Sequence, residues 1–222
     1  MRVGILPAGG AASRWNGFPK ELLPVSDTSC LLDRAVITLQ RAFCDKVYIV
    51  TNPVREQLQR YVLKTWAGVE YIYDLPGKYN GFCAAMMAGM QYHVADEYLV
   101  MMPDTYTDMP LFPVEKVSGI KFGRFPTDQP GRFGMFRGPR IEDKNPDSDP
   151  GFAWGAFMFD QQVRDIWLAQ QYETHTAAFN DIMKIVPWDV WEMYEYRDIA
   201  SWNDYLQLLG VDLTHGNGSN NR

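Results

Sequence analysis

Gly9 and Gly10 are followed by Arg14 and then Lys20 in the stretch ILPAGGAASRWNGFPKELLPV, residues 5–25, which opens on an apolar strand-like run. Glycine lets backbone N–H groups converge on an anion, because without a Cβ the chain approaches closely and takes positive φ. Arginine adds a planar fork of donors and lysine a compact point charge. Residues of these types, so close behind a strand, are suited to holding phosphate. Two familiar phosphate loops do not match. There is no GxxxxGK[ST], the dinucleotide pattern GxGxxG is broken, and the second strand ends in Val50, Thr51 and Asn52 rather than in an acid.

The elements that must position these residues alternate between short apolar runs and helix-period segments, the pattern of a parallel sheet covered by helices on both faces. RVGIL, KVYIVTN, VEYIYD and EYLVMMPD read as strands. Between them SCLLDRAVITLQRAF places Leu32, Ala35, Val36, Leu39 and Phe43 on one helical face, VREQLQRYVLKTW reads as a second amphipathic helix, and GFCAAMMAGMQYHV as a helix whose small residues allow close packing. In open α/β sheets ligands bind beyond the carboxyl ends of the strands, so the chemistry is expected there. After Asp108 the style changes to Gly- and aromatic-rich strands, GIKFGRF, RFGMFRG and FAWGAFMFD, with the breaker-rich EDKNPDSDPG before the last. Helices DQQVRDIWLAQQY and THTAAFNDIMKIV follow, then a strand WDVWEMYEY and a helix SWNDYLQLLG, with Ser201 as N-cap and Gly210 as stop. The fold class is therefore α/β, Rossmann-like, with a mixed, mainly parallel central sheet flanked by helices. One domain over residues 1–209 is expected, with a polar tail, 210–222, too poor in apolar residues to order itself.

Bulk properties narrow the partners. With 21 basic against 27 acidic residues, a formal charge of −6, attraction to an anion must be local, and nucleic acid is not an expected partner. Cys30, Cys44 and Cys83 lie far apart with no CxxC, and His93, His175 and His215 supply no zinc spacing. A reducing, cytoplasmic setting is expected, with no membrane partner, since no apolar run approaches the ~18 residues of a span and Pro7 interrupts the start before a signal core can form.

The opening stretch resembles the signature of the sugar-1-phosphate nucleotidylyltransferases, the glucose-1-phosphate thymidylyltransferase and uridylyltransferase type within the nucleotide-diphospho-sugar transferases: A-G-G-x-G-[ST]-R, then P-K and a leucine-rich strand. The resemblance continues at VMMPDTYTD, at EDKNP, similar to the family's E-K-P, and at RDIASWNDYLQLL, similar to its D-I-x-T-x-x-D-Y, so that it covers residues 3 to about 209. It implies that a sugar 1-phosphate oxygen attacks the α-phosphorus of a nucleoside triphosphate, UTP or dTTP being favoured, and expels pyrophosphate. Two unit charges ~4 Å apart at an effective dielectric of ~20 repel by about 4 kcal/mol, so cations are needed where these anions meet. By the resemblance, Arg14 and Lys20 are the catalytic cations. Leu6, Ala8, Gly9, Gly10, Gly81 and Asp104 line the nucleotide, in a half reaching to about residue 110. Asp143 and Lys144 take the sugar phosphate in the half 111–209, and Asp104 and Asp198 hold Mg²⁺, a hard cation that prefers carboxylate, phosphate and water oxygens.

The chain departs from the family pattern in places. Ala12 stands where the family has glycine, Asn145 separates Lys144 from Pro146, Asp143 stands where Glu usually precedes the lysine, and Tyr73 and Asp74 replace a glutamine often found near the base. Each candidate has a plainer reading: Asp104 as a strand-end turn former, Asp198 as a cap before the last helix, Lys144 as part of a solvated loop, Lys78 as a turn lysine, Arg14 and Lys20 as surface or ion-pairing groups. The aromatic run Trp188, Trp191, Tyr194, Tyr196 and Trp202 reads as a half-buried strand and core, with a sugar platform or a homo-oligomer contact as alternatives. His175 has no triad partner in sequence and receives no catalytic role. Two other functions stay open: a cytidylyltransferase acting on a polyol or amino-alcohol phosphate, and a nucleotide-binding sensor that has lost catalysis. There is no D-A-A-R-P stretch of the isoprenoid type.

Overall fold

The computed structural model describes residues 1–10, 15, 17–73, 81–107, 111–194 and 196–211. Arg14, Ala12, Asp74, Lys78 and Asp108 lie outside the described residues, as does the tail from 212. In chain order the strands are β1 (Arg2–Pro7), β2 (Pro24–Ser26), β3 (Ser29–Cys30), β4 (Lys46–Thr51), β5 (Val69–Tyr73), β6 (Glu97–Met101), β7 (Thr105–Tyr106), β8 (Ile120–Thr127), β9 (Met135–Arg137), β10 (Arg140–Glu142), β11 (Gly151–Asp160), β12 (Trp188–Glu192) and β13 (Arg197–Asp198). The helices are α1 (Leu31–Arg41), α2 (Glu56–Thr65), α3 (Gly81–Tyr92), α4 (Gln161–Gln170), α5 (His175–Ile185) and α6 (Trp202–Leu208).

β1 lies in the middle of a nine-stranded sheet, parallel to β4 on one side and β6 on the other, with β5 parallel to β4 beyond. Val3, Ile5, Leu6, Ile49, Leu99 and Val100 are fully buried, as strands covered on both faces require. β11 runs antiparallel to both β6 and β8, and β12 adds parallel to β8, so one sheet passes through both halves of the chain. α3, α4 and α5 cover one face around Met86, Trp167 and Phe179, and α1 and α2 cover the other around Leu39, Leu58 and Val62. The small residues of α3 bring it close to the sheet: a Cβ at Gly89 would stand 3.0 Å from the Ile5 side chain. Among the described residues no helix is long and apolar enough to cross a membrane.

Local chemistry accounts for the helix starts. Asp160 and Thr174 accept from Val163 N and Ala177 N at 3.1 and 3.2 Å, and Ser201 caps α6 in a reciprocal box with Asp204, as expected for that serine. Buried Asp33 accepts from Cys30 N, Tyr61 Oη and Trp66 Nε1 at 2.7–2.8 Å, which joins α2 to the start of α1. One expectation fails here. Phe43 is not on the buried face of α1 but past its end, 68% exposed at φ 60°, where the chain turns back towards β4. The strand expected over 188–196 pairs only to Glu192, and the chain then leaves the sheet towards β13.

Candidate active site

The carboxyl ends of β1 and β6 open on a cavity of about 210 Å³ walled by Gly9, Gly10, Lys20, Glu21, Gly81 and Asp104. The glycines follow β1 directly, and Gly81 begins α3. Lys20 starts a short 3₁₀ turn, Lys20–Leu22, behind Pro19. Leu6 and Ala8 lie beneath this loop instead: both are buried in the core, and Ala8 donates to Val50 O at 2.7 Å.

A second cavity, of about 310 Å³, adjoins the first and shares Lys20, Phe82, Met102 and Asp104 with it. Asp198, Lys144 and Arg132 stand on its wall. Asp198 comes from far along the chain through a two-residue pairing, β13 with β7, in which Asp198 lies opposite Thr105 and Ile199 N donates to Asp104 O at 3.0 Å. This pairing is held from behind by α6, where Tyr205 donates to Pro24 O at 2.7 Å and packs with Trp15, Leu23, Leu31 and Ile199. Thus the loop that carries Lys20 and the segment that carries Asp198 share one small core.

The charges here are strongly coupled. The Lys20 ammonium is ion-paired with the Asp104 carboxylate. Burial works against its charge, but Asp104, with Asp198 and Glu21 adding, outweighs burial and raises its pKa. Burial and the nearby Asp104 charge push Asp198 above the usual carboxylate range, against the pull of Arg132 and Lys20. Arg132 donates through Nε and Nη2 to Asp198 Oδ2 at 3.0 and 2.9 Å, and through Nη1 and Nη2 to the two oxygens of Asp204, both at 2.9 Å. Two carboxylates forced together in this way, one of them disfavoured by burial and by its neighbour, suit a divalent cation that would relieve both. Among the described residues no three His, Cys, Asp or Glu side chains group as a metal cage, so phosphate and water oxygens would complete the coordination of that cation.

The rest of the second cavity is aromatic. Trp154 packs edge-on to His175 and Phe82, with ring centroids 5.5 and 6.1 Å apart. Its neighbour Gly155 is the extra residue of a bulge in β11, where the pairing with β8 shifts between Trp154 and Ala156. Tyr196 lies over Gly155 so closely that a Cβ there would stand 2.5 Å from the ring, and it donates to Gly155 O at 3.1 Å. Burial, with Lys144 nearby, lowers the pKa of His175 against the opposing Asp143 charge, so the imidazole is neutral at pH 7.

Gly9, Gly10, Gly81, Lys20, Asp104, Lys144 and Asp198 therefore meet at two adjoining cavities. Asp143 does not join them; it is exposed, and its Oδ1 accepts from Lys144 N at 2.8 Å. Glu142 is occupied within its own loop by Ser148, Asn145 and Arg137. Arg132, Glu21, Phe82, Trp154 and His175 reach the site without having been singled out for it, and Tyr196, expected as core with a sugar platform as the alternative, stands on the wall of the second cavity. Trp154 and Tyr196 alternate like core residues of a strand, and the bulge that presents Trp154 has no sequence mark other than Gly155.

A family model described as the MobA-like NTP transferase domain matches residues 4–120, just over half of the 222-residue chain. No curated protein matches it. Among solved structures, a Bacillus anthracis protein described as a glucose-1-phosphate thymidylyltransferase, in complex with sucrose, superposes with a TM-score of 0.80 at 21% identity, over 97% of this chain and 98% of its own. A UDP-glucose pyrophosphorylase complexed with UDP-glucose superposes with a TM-score of 0.74 at 16% identity, over 95% and 97%. A UDP-glucose pyrophosphorylase of Acinetobacter baumannii gives 0.75 at 14% identity, over 98% and 95%. At these identities the likeness is one of fold.

Proposed function

The chain belongs to the family of MobA-like NTP transferase domains and is a nucleotidyltransferase, and we propose that it transfers a nucleotidyl group from a nucleoside triphosphate, UTP or dTTP being favoured, to a sugar 1-phosphate. The acceptor phosphate oxygen forms the new bond to the α-phosphorus as the bond to the bridging oxygen of the β-phosphate breaks, and pyrophosphate leaves; no enzyme nucleophile is needed. The observation that carries this reading is that the two cavities share Lys20 and Asp104 at their junction, where donor and acceptor phosphates must meet.

In this reading the half 1–110 takes the nucleotide and 111–209 the acceptor. The amides of Gly9 and Gly10 and the start of α3 at Gly81 cradle the triphosphate with Arg14, Leu6 and Ala8 form the floor of that loop, and Lys20 offsets charge at the α-phosphorus. Lys144 takes the acceptor phosphate; Asp143 shapes its loop. Asp104 and Asp198 would hold Mg²⁺, which, when bound, neutralises phosphate charge shared by donor and leaving group. Arg132 keeps Asp198 in place by binding its Oδ2.

A second acceptor class has one observation in its favour. Apart from its charged groups, the second cavity presents Phe82, Phe133, Trp154, His175 and Tyr196, and among the described residues no Ser, Thr, Asn or Gln lines it. The ring faces of such a wall suit the ammonium head of an amino-alcohol phosphate, whereas a polyhydroxylated sugar would have to pair its hydroxyls with the charged groups and with Tyr196 and His175. Pyrophosphate release with Mg²⁺, measured for each nucleoside triphosphate against sugar 1-phosphates and polyol and amino-alcohol phosphates, decides between them. Nucleotide binding without turnover on any pair would instead indicate a sensor. Asp104→Asn should move half-saturation by Mg²⁺ upward by an order of magnitude or more; an unshifted titration removes Asp104 from the metal site.

A further inference from the structure

The segment Thr51–Arg55 lines neither cavity, yet it is tied to both parts of the first one. Thr51 Oγ1 donates to Ala8 O at 3.2 Å and Asn52 Nδ2 donates to Gly9 O at 2.7 Å, so the carbonyls of the glycine loop are fixed from the end of β4. Three residues on, Arg55 Nη2 donates to Glu21 Oε1 at 3.3 Å, and Glu21 is the residue that follows Lys20 in its 3₁₀ turn. Arg55 is itself held, its carbonyl accepting from Tyr71 Oη at 3.3 Å and its N–H donating to Asn52 O at 3.2 Å.

The Arg55–Glu21 pair is poorly suited to a stabilising role. Glu21 is 2% and Arg55 5% exposed, and among the described residues Glu21 Oε2, Arg55 Nε and Arg55 Nη1 have no hydrogen-bond partner. A second buried pair, Arg2 with Glu97 at the starts of β1 and β6, is different: Arg2 donates to Glu97 through Nε and Nη2 at 3.1 and 2.9 Å and to Ala42 O at 2.8 Å. A buried ion pair bonded through a single long contact costs more desolvation than it returns, and exchanging such a pair for apolar side chains of similar size is often neutral or stabilising.

We propose that Thr51–Arg55 is a positioning frame for the nucleotide cradle: Asn52 sets the glycine loop, and the Arg55–Glu21 pair sets the turn that aims Lys20. Neither Asn52 nor Arg55 touches substrate. The inference rests on the assignment of the first cavity to the nucleoside triphosphate. It separates two effects that a merely structural role would merge. Asn52 acts on how well the triphosphate is held, and Arg55–Glu21 on how well Lys20 meets the reacting phosphorus, where a displacement of about 1 Å can cost ~10² in rate.

The test uses the full chain, with initial rates of pyrophosphate release on the best substrate pair, binding of a non-hydrolysable nucleoside triphosphate by calorimetry, and thermal melting. Asn52→Asp is expected to weaken nucleotide binding about ten-fold, since it replaces a donor to Gly9 O with an acceptor, and to leave the acceptor KM alone. The double variant Glu21→Leu with Arg55→Met is expected to melt at or above the wild-type temperature and to lose ten- to a hundred-fold in kcat. If that double variant does not fold, Arg55→Lys keeps the charge without the fork and is expected to show the same kcat loss to a smaller degree. Wild-type kcat in the folded variant, or a kcat loss that only follows a fall in melting temperature, overturns the frame and leaves the nucleotide site standing. Wild-type protein that binds no nucleoside triphosphate overturns that site, and the frame with it.

Discussion

The two cavities are built by different means. The first is made largely of backbone: glycines and short turns at the carboxyl ends of parallel strands, with Lys20, Glu21 and Asp104 as its charges. The second is made of side chains carried by the antiparallel part of the sheet and by α5, with a bulge at Gly155 to present Trp154 and a fork from Arg132 to hold Asp198. A backbone cradle fits the part common to all nucleoside triphosphates, whereas a wall of side chains can be altered residue by residue. The nucleotide side should thus be intolerant of change and the acceptor side tunable.

The largest effect should come from the two cations proposed to act at the reacting phosphorus. Lys20→Ala should lower kcat about 10³-fold and Arg14→Ala roughly 10²- to 10³-fold, with melting temperature little changed, because each removes a preorganised charge where charge develops. Rates near wild type for either variant would place that residue outside the reacting centre. Next, Lys144→Ala should raise the acceptor KM ten-fold or more while leaving the nucleotide KM unchanged. If both KM values rise together, the division between the cavities is wrong. A smaller effect is expected from Trp154→Phe, which keeps the contacts of Trp154 with Phe157 and Phe179 but narrows the wall. The ratio of kcat/KM between a sugar 1-phosphate and an amino-alcohol phosphate should move several-fold, since differences in apolar contact are worth ~1–3 kcal/mol. An unchanged ratio would make the wall a piece of core.

The same contrast governs what could be read in the amino-acid chain. The parallel half is legible because strands covered on both faces are near-continuous apolar runs and because glycine and lysine behind a strand end have few other uses; β1, β4 and β5 lie within a residue of expectation, and β6 starts where expected but ends at Met101, three residues before Asp104. Asp198 was reachable only through its resemblance to a family motif, since nothing in its spacing announces the β13–β7 pairing that brings it beside Asp104. The aromatic wall of the second cavity was legible only at Tyr196, and there only as an alternative to core. Trp154 and Phe82 have the pattern of core residues, and what sets Trp154 apart is a register shift and the close approach allowed by Gly155, neither of which has a periodicity. Phe43 shows the converse error, since apolar type and helical spacing placed it inside, whereas the helix had already ended.

The smallest expected effect lies in stability and concerns what joins the two sides. Asp204 is not in the reacting centre; it accepts from Arg132, Ser201 N and Ala200 N, and so connects the Arg132 loop to the start of α6, which packs behind the Lys20 loop. Burial opposes its charge, but hydrogen bonds from Arg132 and Ser201 outweigh burial and hold its pKa below the ordinary carboxylate value. A carboxyl depressed in the folded state stabilises above its unfolded pKa, near 4, and that contribution is lost as pH falls through the folded value. Asp204→Asn should therefore melt below wild type by a constant margin from neutral pH down to about pH 5, and the two curves should converge as the pH falls below about 4. Its kcat at neutral pH should be close to that of wild type, because Arg132 retains Asp198. A margin that persists unchanged at low pH would mean that Asp204 stabilises through shape alone, and that the tie between the two sides of the cleft is not electrostatic.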